Sequence, residues 1–329
     1  MARPLRIQYN DAVYHVTCRG NDKRDIFRDD ADRNRFLLQL NQSLNIYTVK
    51  LHSYVLMSNH FHLLVETPLA NLSEFMRHFN ILYTGFYNRR HGRVGHLYQG
   101  RYKAIVVDKD NYLSVLSRYI HLNPVRIKTF EKKDLRDKLH YLVDYPWSSL
   151  AGYLSKRKKQ HFMTYDLVLG DYGGDTDKAR KGYEKALVEE MRQGAEIKEL
   201  IVGQTVIGSD DFIGWIKDNF LTDGRDREAP AHRAIRSHRS KDDIAKAIAE
   251  KTGKTIDQIR LEKGPLRQIA MDLLYRQARL TNPEIGRIFG VDYSSVSQER
   301  KRLRLRLEKD KKLRTLLASF EKEMSRLKK

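Results

Sequence analysis

Two histidines set two residues apart, His60 and His62, are the first residues in this chain whose types and spacing suggest chemistry. They lie within Tyr54-Val55-Leu56-Met57-Ser58-Asn59-His60-Phe61-His62-Leu63-Leu64-Val65, an apolar run that reads as a buried strand. Side chains alternate across a strand, so both imidazoles point to one face, roughly 7 Å apart at the backbone. Phe61, Leu63 and Val65 then point to the opposite, core-forming face. Two imidazoles on one face can hold one metal ion; packed or hydrogen-bonded histidines are the other reading. With 12 histidines in 329 residues, chance supplies ~0.4 such pairs, so the motif needs context.

Tyr119 and Asn123 offer that context, because residues four apart share a helix face. Pro124 disfavours helical backbone at Asn123 and sets it at the helix end, its side-chain carbonyl able to turn outward. A metal held by two imidazoles and one amide carbonyl keeps positions open for a phosphate oxygen, which makes phosphorus more electrophilic. Tyrosine is a covalent nucleophile once activated, its unperturbed pKa being about 10. Attack would leave a phosphotyrosine link and release a sugar hydroxyl, keeping the bond energy for rejoining. Tyr98, Tyr102 and Tyr112 compete for the role, and a helical tyrosine facing a sheet also serves as plain core.

The elements that must position these groups follow from pattern. Ala12 to Arg19 reads as strand then turn, and Asp29 to Leu44 as an amphipathic helix. A strand from about Ile46 to Met57 either continues into the histidine strand or bends near Ser58-Asn59. Leu72 to Arg90 is a second helix, with Leu72, Phe75, Phe79, Leu82 and Phe86 as its buried stripe; Arg77, His78, Arg89 and Arg90 form a face that is either solvated or DNA-binding. Gly95 to Val107 interleaves aromatic and basic residues, among them Arg101 and Lys103, which suits single-stranded nucleic acid. Asp108 fits an N-cap for a helix through about Leu122. Glu66 reads as a surface carboxylate at a strand end. The order suggests an α+β fold, an antiparallel sheet with packed helices.

Composition narrows the partners. A formal charge of +20 and a pI near 9.8 imply a polyanion, most simply nucleic acid. No run of about 18 apolar residues spans a membrane, and the start lacks the apolar core of a signal peptide. The single cysteine, Cys18, fits a reducing cytoplasm. No Walker A loop is present, so ATP hydrolysis has no support.

Ser58-Asn59-His60-Phe61-His62-Leu63-Leu64-Val65 resembles the HUH motif of single-tyrosine transposases. Tyr14-His15-Val16-Thr17-Cys18-Arg19-Gly20-Asn21, Tyr98-Gln99-Gly100-Arg101-Tyr102-Lys103, Arg118-Tyr119-Ile120-His121-Leu122-Asn123-Pro124-Val125-Arg126 and Asp144-Tyr145-Pro146-Trp147-Ser148-Ser149 resemble its REP-associated subgroup, RayT. The resemblance covers about the first 150 residues. It implies a ferredoxin-like antiparallel sheet, a usually dimeric state, and a bacterial, cytoplasmic, nucleoid-associated enzyme that cuts and joins single-stranded DNA beside hairpins. It also implies Tyr119 as nucleophile, His60, His62 and Asn123 as metal ligands, and Mg²⁺ or Mn²⁺ as the ion. Asparagine replaces the glutamine common at the third ligand position, as in the RayT form.

Residues 151–230 read as a helical extension, with Thr222 to Pro230 as linker and no catalytic constellation. Residues 231–329 sharpen into helices: one around Ile244, Ala247 and Ile248, one from Leu266 to Leu280, one from Asn282 to Val291, and one from Tyr293 to about Glu308. Helix, glycine turn, helix is the helix-turn-helix order, whose second helix enters a duplex major groove. Arg267-Gln268-Ile269-Ala270-Met271, Glu284-Ile285-Gly286-Arg287-Ile288-Phe289-Gly290 and Ser294-Ser295-Val296 resemble the DNA-binding domain of the initiator DnaA. Tyr293, Ser294, Ser295 and Ser297 are then the expected base readers, and Arg267 and Arg300 the expected phosphate contacts. The combined expectation is a transposase with an added duplex-binding domain. A non-catalytic DNA-binding regulator, or a metal-dependent phosphodiesterase using water, is the alternative.

Overall fold

The computed structural model describes residues 7–193, 197–221, 235, 238–278 and 280–326. The expected linker, Thr222 to Pro230, lies outside them. Two compact units divide the described residues: 7–197 with Thr205–Gly208, and Lys198–Gln204 with 209–326.

The first unit is built on β1 (Ala12–Arg19), α1 (Asp30–Ile46), β2 (Lys50–Leu56), β3 (His60–Thr67), α2 (Leu72–Arg90) and β4 (Lys103–Val107). These strands stand in the order β2-β3-β1-β4, all neighbours antiparallel, with β5 (Val206–Ile207) added parallel to β4. Two interleaved β-α-β halves in this order make the ferredoxin-like arrangement. The chain bends at Met57–Asn59, so the apolar run is a hairpin of two paired strands rather than one strand.

The two sheet faces differ sharply. Phe61 stacks edge-on against Phe36 of α1 at 4.9 Å and against Phe79 of α2 at 6.2 Å, and all three are fully buried. This is the apolar face expected of Phe61, Leu63 and Val65; burying each such side chain is worth roughly 1.5–3 kcal/mol. The opposite face carries His60, His62 and, across the register, Thr17 and Lys103. It is covered by α3 (Lys109–Leu122), whose N-terminus is held by Asp108 accepting the Asp110 N–H. Ser53 on β2 and Ser117 on α3 share a 2.6 Å hydrogen bond across that layer.

Behind α3 lie α4 (Leu135–Asp144), α5 (Leu150–Leu154), α6 (Asp166–Gly170) and α7 (Asp177–Gln193). Tyr183 of α7 bonds Ser117 at 2.8 Å and His121 at 2.7 Å, while Ser149 takes the other His121 nitrogen at 2.7 Å. With both ring nitrogens satisfied and the ring fully buried, burial alone lowers the His121 pKa to about 3. His121 is a structural histidine.

The second unit is helical: α8 (Asp210–Phe220), α9 (Lys241–Thr252), α10 (Ile256–Leu261), α11 (Pro265–Arg276), α12 (Asn282–Phe289), α13 (Tyr293–Lys309) and α14 (Lys311–Arg326). Ile269, Leu273, Ile285, Phe289, Val296 and Leu303 meet in its core. Thr281 and Glu284 form a capping box at the start of α12. Its end requires glycine twice. Gly290 sits at φ +64°, and a Cβ on Gly286 would fall 2.5 Å from the Val291 carbonyl oxygen. Those two positions make the tight turn into α13. Among the described residues no helix is long and apolar enough to cross a membrane.

Candidate active site

Asn59 Nδ2 donates to the Lys23 carbonyl at 2.9 Å, which turns its Oδ1 toward His60 Nδ1 at 2.7 Å. An amide oxygen only accepts, so His60 carries its proton on Nδ1 and presents Nε2 as a lone pair. Burial, helped by the Arg19 charge, lowers the His60 pKa to about 4, so the ring stays neutral at pH 7. The two motif rings lie 5.1 Å apart between centroids.

His62 has a partner that sequence reading gave no role. His15, on β1, stacks on it at 5.1 Å and shares a 2.8 Å contact between His15 Nε2 and His62 Nδ1. The tautomer in which His62 donates from Nδ1 leaves its Nε2 as a lone pair. His15 is buried, its pKa lowered by that burial to about 4, and its Nδ1 has no hydrogen-bond partner among the described residues. A second polar group that fixes a ring's tautomer is the usual support of a metal-binding imidazole. The signal was a histidine in a strand whose register faces His62, and register is not readable from local pattern.

Tyr119 closes the group. Its ring centroid is 6.2 Å from His62 and 5.9 Å from His15, edge-on to both. Its rivals are elsewhere: Tyr98 is buried against Phe61, Tyr112 is buried, and Tyr102 hydrogen-bonds Ser73 of α2 at 3.2 Å. Asn123 follows one turn on. Contrary to expectation its backbone is helical, at φ −54° and ψ −40°, despite Pro124. The reason is local: the proline lacks an N–H, and Asn123 meets the helix-end carbonyls itself. Its Nδ2 donates to Tyr119 O at 2.9 Å and Ile120 O at 3.2 Å. The amide nitrogen is thereby committed and the oxygen is left as the side chain's acceptor.

Two imidazoles with hydrogen-bonded Nδ1 atoms and an amide oxygen fit a divalent cation by donor chemistry. No group of three or more His, Cys, Asp or Glu among the described residues could hold one, so the amide is what would complete this donor set. Glu66 contributes nothing here and is no surface group: it is buried, bonded to His52 at 3.2 Å and paired with Lys50 at 3.4 Å.

Lys103 is exposed and pairs in register with Thr17, itself opposite His62, which puts it roughly 10 Å across the sheet from the histidine. Arg101 is exposed on the rim of a groove of about 760 Å³ between α2 and residues 96–102, with Arg77, Asn80 and His96.

In the helical unit the expected DNA contacts separate. Ser294 and Ser297 are exposed at the start of α13, while Tyr293 and Ser295 are half-buried. Asp292 caps the helix, taking the Ser295 N–H at 2.8 Å and the Ser294 and Ser295 hydroxyls at 2.6 and 3.0 Å. Arg267 is half-buried, over Phe289 at 6.0 Å. Arg300 needs correction as a phosphate contact: only 6% exposed, it stacks on Tyr275 at 3.2 Å, reaches Asn282 at 3.3 Å and pairs with Asp272 at 3.6 Å. It points inward because it falls four residues after Val296 on the buried stripe. Gln298, Lys301 and Arg304 share the exposed face with Ser294 and Ser297. The three- and four-residue spacing from Ser294 was the signal for them.

Residues 8–123 match the family model described as IS200-like transposase. Among solved structures, a REP-associated tyrosine transposase bound to a REP hairpin is similar at 14% identity and a TM-score of 0.39, over 51% of this chain and 93% of that one. No curated protein matches the chain.

Proposed function

We propose that this chain, whose residues 8–123 match the IS200-like transposase model, cuts and rejoins single-stranded DNA beside REP-type hairpins through a covalent link to Tyr119. One observation carries the mechanism: the Tyr119 ring stands 6.2 Å from His62, on the sheet face where Asn59 and the buried His15 hydrogen-bond the two motif histidines.

Tyr119 Oη attacks phosphorus; the new oxygen–phosphorus bond forms as the bond to one sugar oxygen breaks. The phenolic proton is lost and the departing oxygen gains one, releasing a sugar hydroxyl. The phosphodiester energy is conserved in the phosphotyrosine link, so the hydroxyl of another strand can reverse the step. His60, His62 and Asn123 would hold Mg²⁺ or Mn²⁺, which when bound polarises a phosphate oxygen. Asn59 and His15 orient the two rings, Lys103 attracts the backbone from the same sheet face, and burial under α3 limits water as a competing nucleophile. The exposed face of α13 would add duplex binding, its first turn toward base edges and Lys301 and Arg304 toward phosphates. That face also supports the second reading, a DNA-binding regulator without catalysis.

The test incubates end-labelled single-stranded hairpin oligonucleotides of varied flanks with the protein and Mn²⁺. A denaturation-resistant protein–DNA adduct is expected, at least about 1,000-fold reduced in Tyr119→Phe. Cleavage with no adduct would point to water as nucleophile, an undiminished adduct in Tyr119→Phe to another residue, and duplex binding with no cleavage to the regulator.

A further inference from the structure

Arg126, just past the turn that follows α3, lays its guanidinium over the Tyr119 ring, 4.5 Å from the centroid. The mechanism above leaves it unused. It is not placed there by its own segment alone. Its Nη2 lies 3.5 Å from Glu190 Oε1, a carboxylate of α7 that is buried, and the other Glu190 oxygen accepts from Arg118 Nε at 2.7 Å. Arg118 is in turn bound by the Tyr172 hydroxyl. Burial, opposed by the two guanidiniums, leaves the Glu190 carboxyl above its usual pKa. One carboxyl therefore faces two guanidiniums, those of Arg118 and Arg126.

The Tyr119 ring is thus bounded on three sides. His62 and His15 meet it edge-on and Arg126 covers a face. A phenol that must present one oxygen to phosphorus along a fixed line loses rate when its ring can swing, because near-attack geometry is narrow. A planar cation over the ring resists that swing and keeps its attraction throughout attack, since the ring face remains electron-rich. Residue 190 lies far along the chain, in a stretch without any catalytic pattern, and reaches the site only because α7 packs on α3.

We propose that Arg126 is a positioning residue for the nucleophile, clamping the Tyr119 ring through its cation and itself anchored by Glu190. This rests on the reading of Tyr119 as nucleophile. It assigns the stretch after residue 150 a part in catalysis that its sequence does not advertise.

The experiment measures single-turnover adduct formation and, separately, affinity for the same labelled hairpin oligonucleotides in Mn²⁺. Arg126→Met, which keeps the stem and drops the charge, is expected to slow adduct formation about 30-fold with affinity changed less than about 3-fold. Arg126→Lys is expected to recover to within about 5-fold of the unsubstituted protein, because it restores a cation over the ring. Glu190→Gln should fall between the two. Equal rates for the Met and Lys variants would reduce Arg126 to packing, and a loss confined to affinity would make it a plain phosphate contact; either overturns the proposal. If Arg126→Met melts early, Arg126→Gln, which also lacks the cation, takes its place in the comparison with Arg126→Lys. If the unsubstituted protein forms no adduct, the transposase mechanism itself fails; if it does and Arg126→Met matches it, only the clamp fails.

Discussion

In the sheet unit the candidate groups gather on one sheet face and at the end of α3, and come from four separated stretches: His15, His60 and His62, Tyr119 and Asn123 with Arg126, and Glu190. In the helical unit they are turned outward and come from one helix, with Ser294, Ser297, Gln298, Lys301 and Arg304 on a single exposed face. Chemistry on phosphorus needs a few groups at defined angles, which requires burial and cross-bracing. Holding a duplex needs charge spread along a surface, which a single solvated helix supplies. Arginine shows the contrast within one residue type. Arg126 over a tyrosine and Arg300 over Tyr275 are both stacked cations, yet one borders the candidate site and the other is a tie inside a helix bundle.

That contrast can be broken most forcefully at Arg300. Arg300→Met should lower the stability of the helical unit by about 3 kcal/mol, toward the low end for a broken buried pair because Arg276 still faces Asp272. Thermal or urea unfolding reads this, and the salt dependence of duplex binding should not change. Unchanged stability with a shallower salt slope would return Arg300 to the DNA surface.

Next comes reversal of the outer face. Lys301→Glu with Arg304→Glu should weaken duplex affinity roughly 100-fold and lower the salt slope by about 2, with hairpin adduct formation kept. Loss of adduct formation in a folded variant would mean that the two surfaces do not act separately.

The smallest effect is at the helix cap. Asp292→Ala should lower the melting temperature by a few degrees, through loss of the bonds from Ser294 and Ser295. Those same bonds hold the Asp292 carboxyl at about 2, below its ordinary 3.8. A carboxyl depressed in the folded state stabilises fully above its unfolded pKa and loses that contribution as pH falls through the folded one. The difference between parent and variant should therefore be constant above about pH 5, shrink steadily below it and vanish only by about pH 1. A difference that does not shrink between about pH 5 and about pH 1 would show that the charge was not what capped the helix.

Much of the fold was legible where the causes are local. The Asp108 cap, the Leu72–Arg90 helix and the proline and glycine bounds of α12 depend on neighbours in sequence and appear where pattern put them, although the buried stripe of that helix runs from Phe79 through Tyr83 and Tyr87 and leaves the expected Leu82 and Phe86 half-buried. The alternation that separates His60 and His62 from Phe61 is likewise a property of one strand. Two helices have no counterpart in the sequence reading: α10 is only six residues long, while α14 carries Leu313, Leu317, Phe320 and Met324 at a helical spacing that was there to be found. The side chain of Asn123 escaped in a subtler way: Pro124 does restrict backbone, but the asparagine's own amide replaces the missing hydrogen bond and keeps the helical geometry.

The sequence by itself determined the ingredients: an imidazole pair on one strand face, a tyrosine and an amide one helical turn apart, and a basic helix after a glycine turn. Only the tertiary structure decided which of them meet. Strand register set His15 against His62, packing of α7 on α3 delivered Glu190 to Arg126, and the buried stripe of α13 took Arg300 inside. Those outcomes depend on contacts between residues tens of positions apart, where the energy of packing, and not the preference of any single residue, chooses the neighbour.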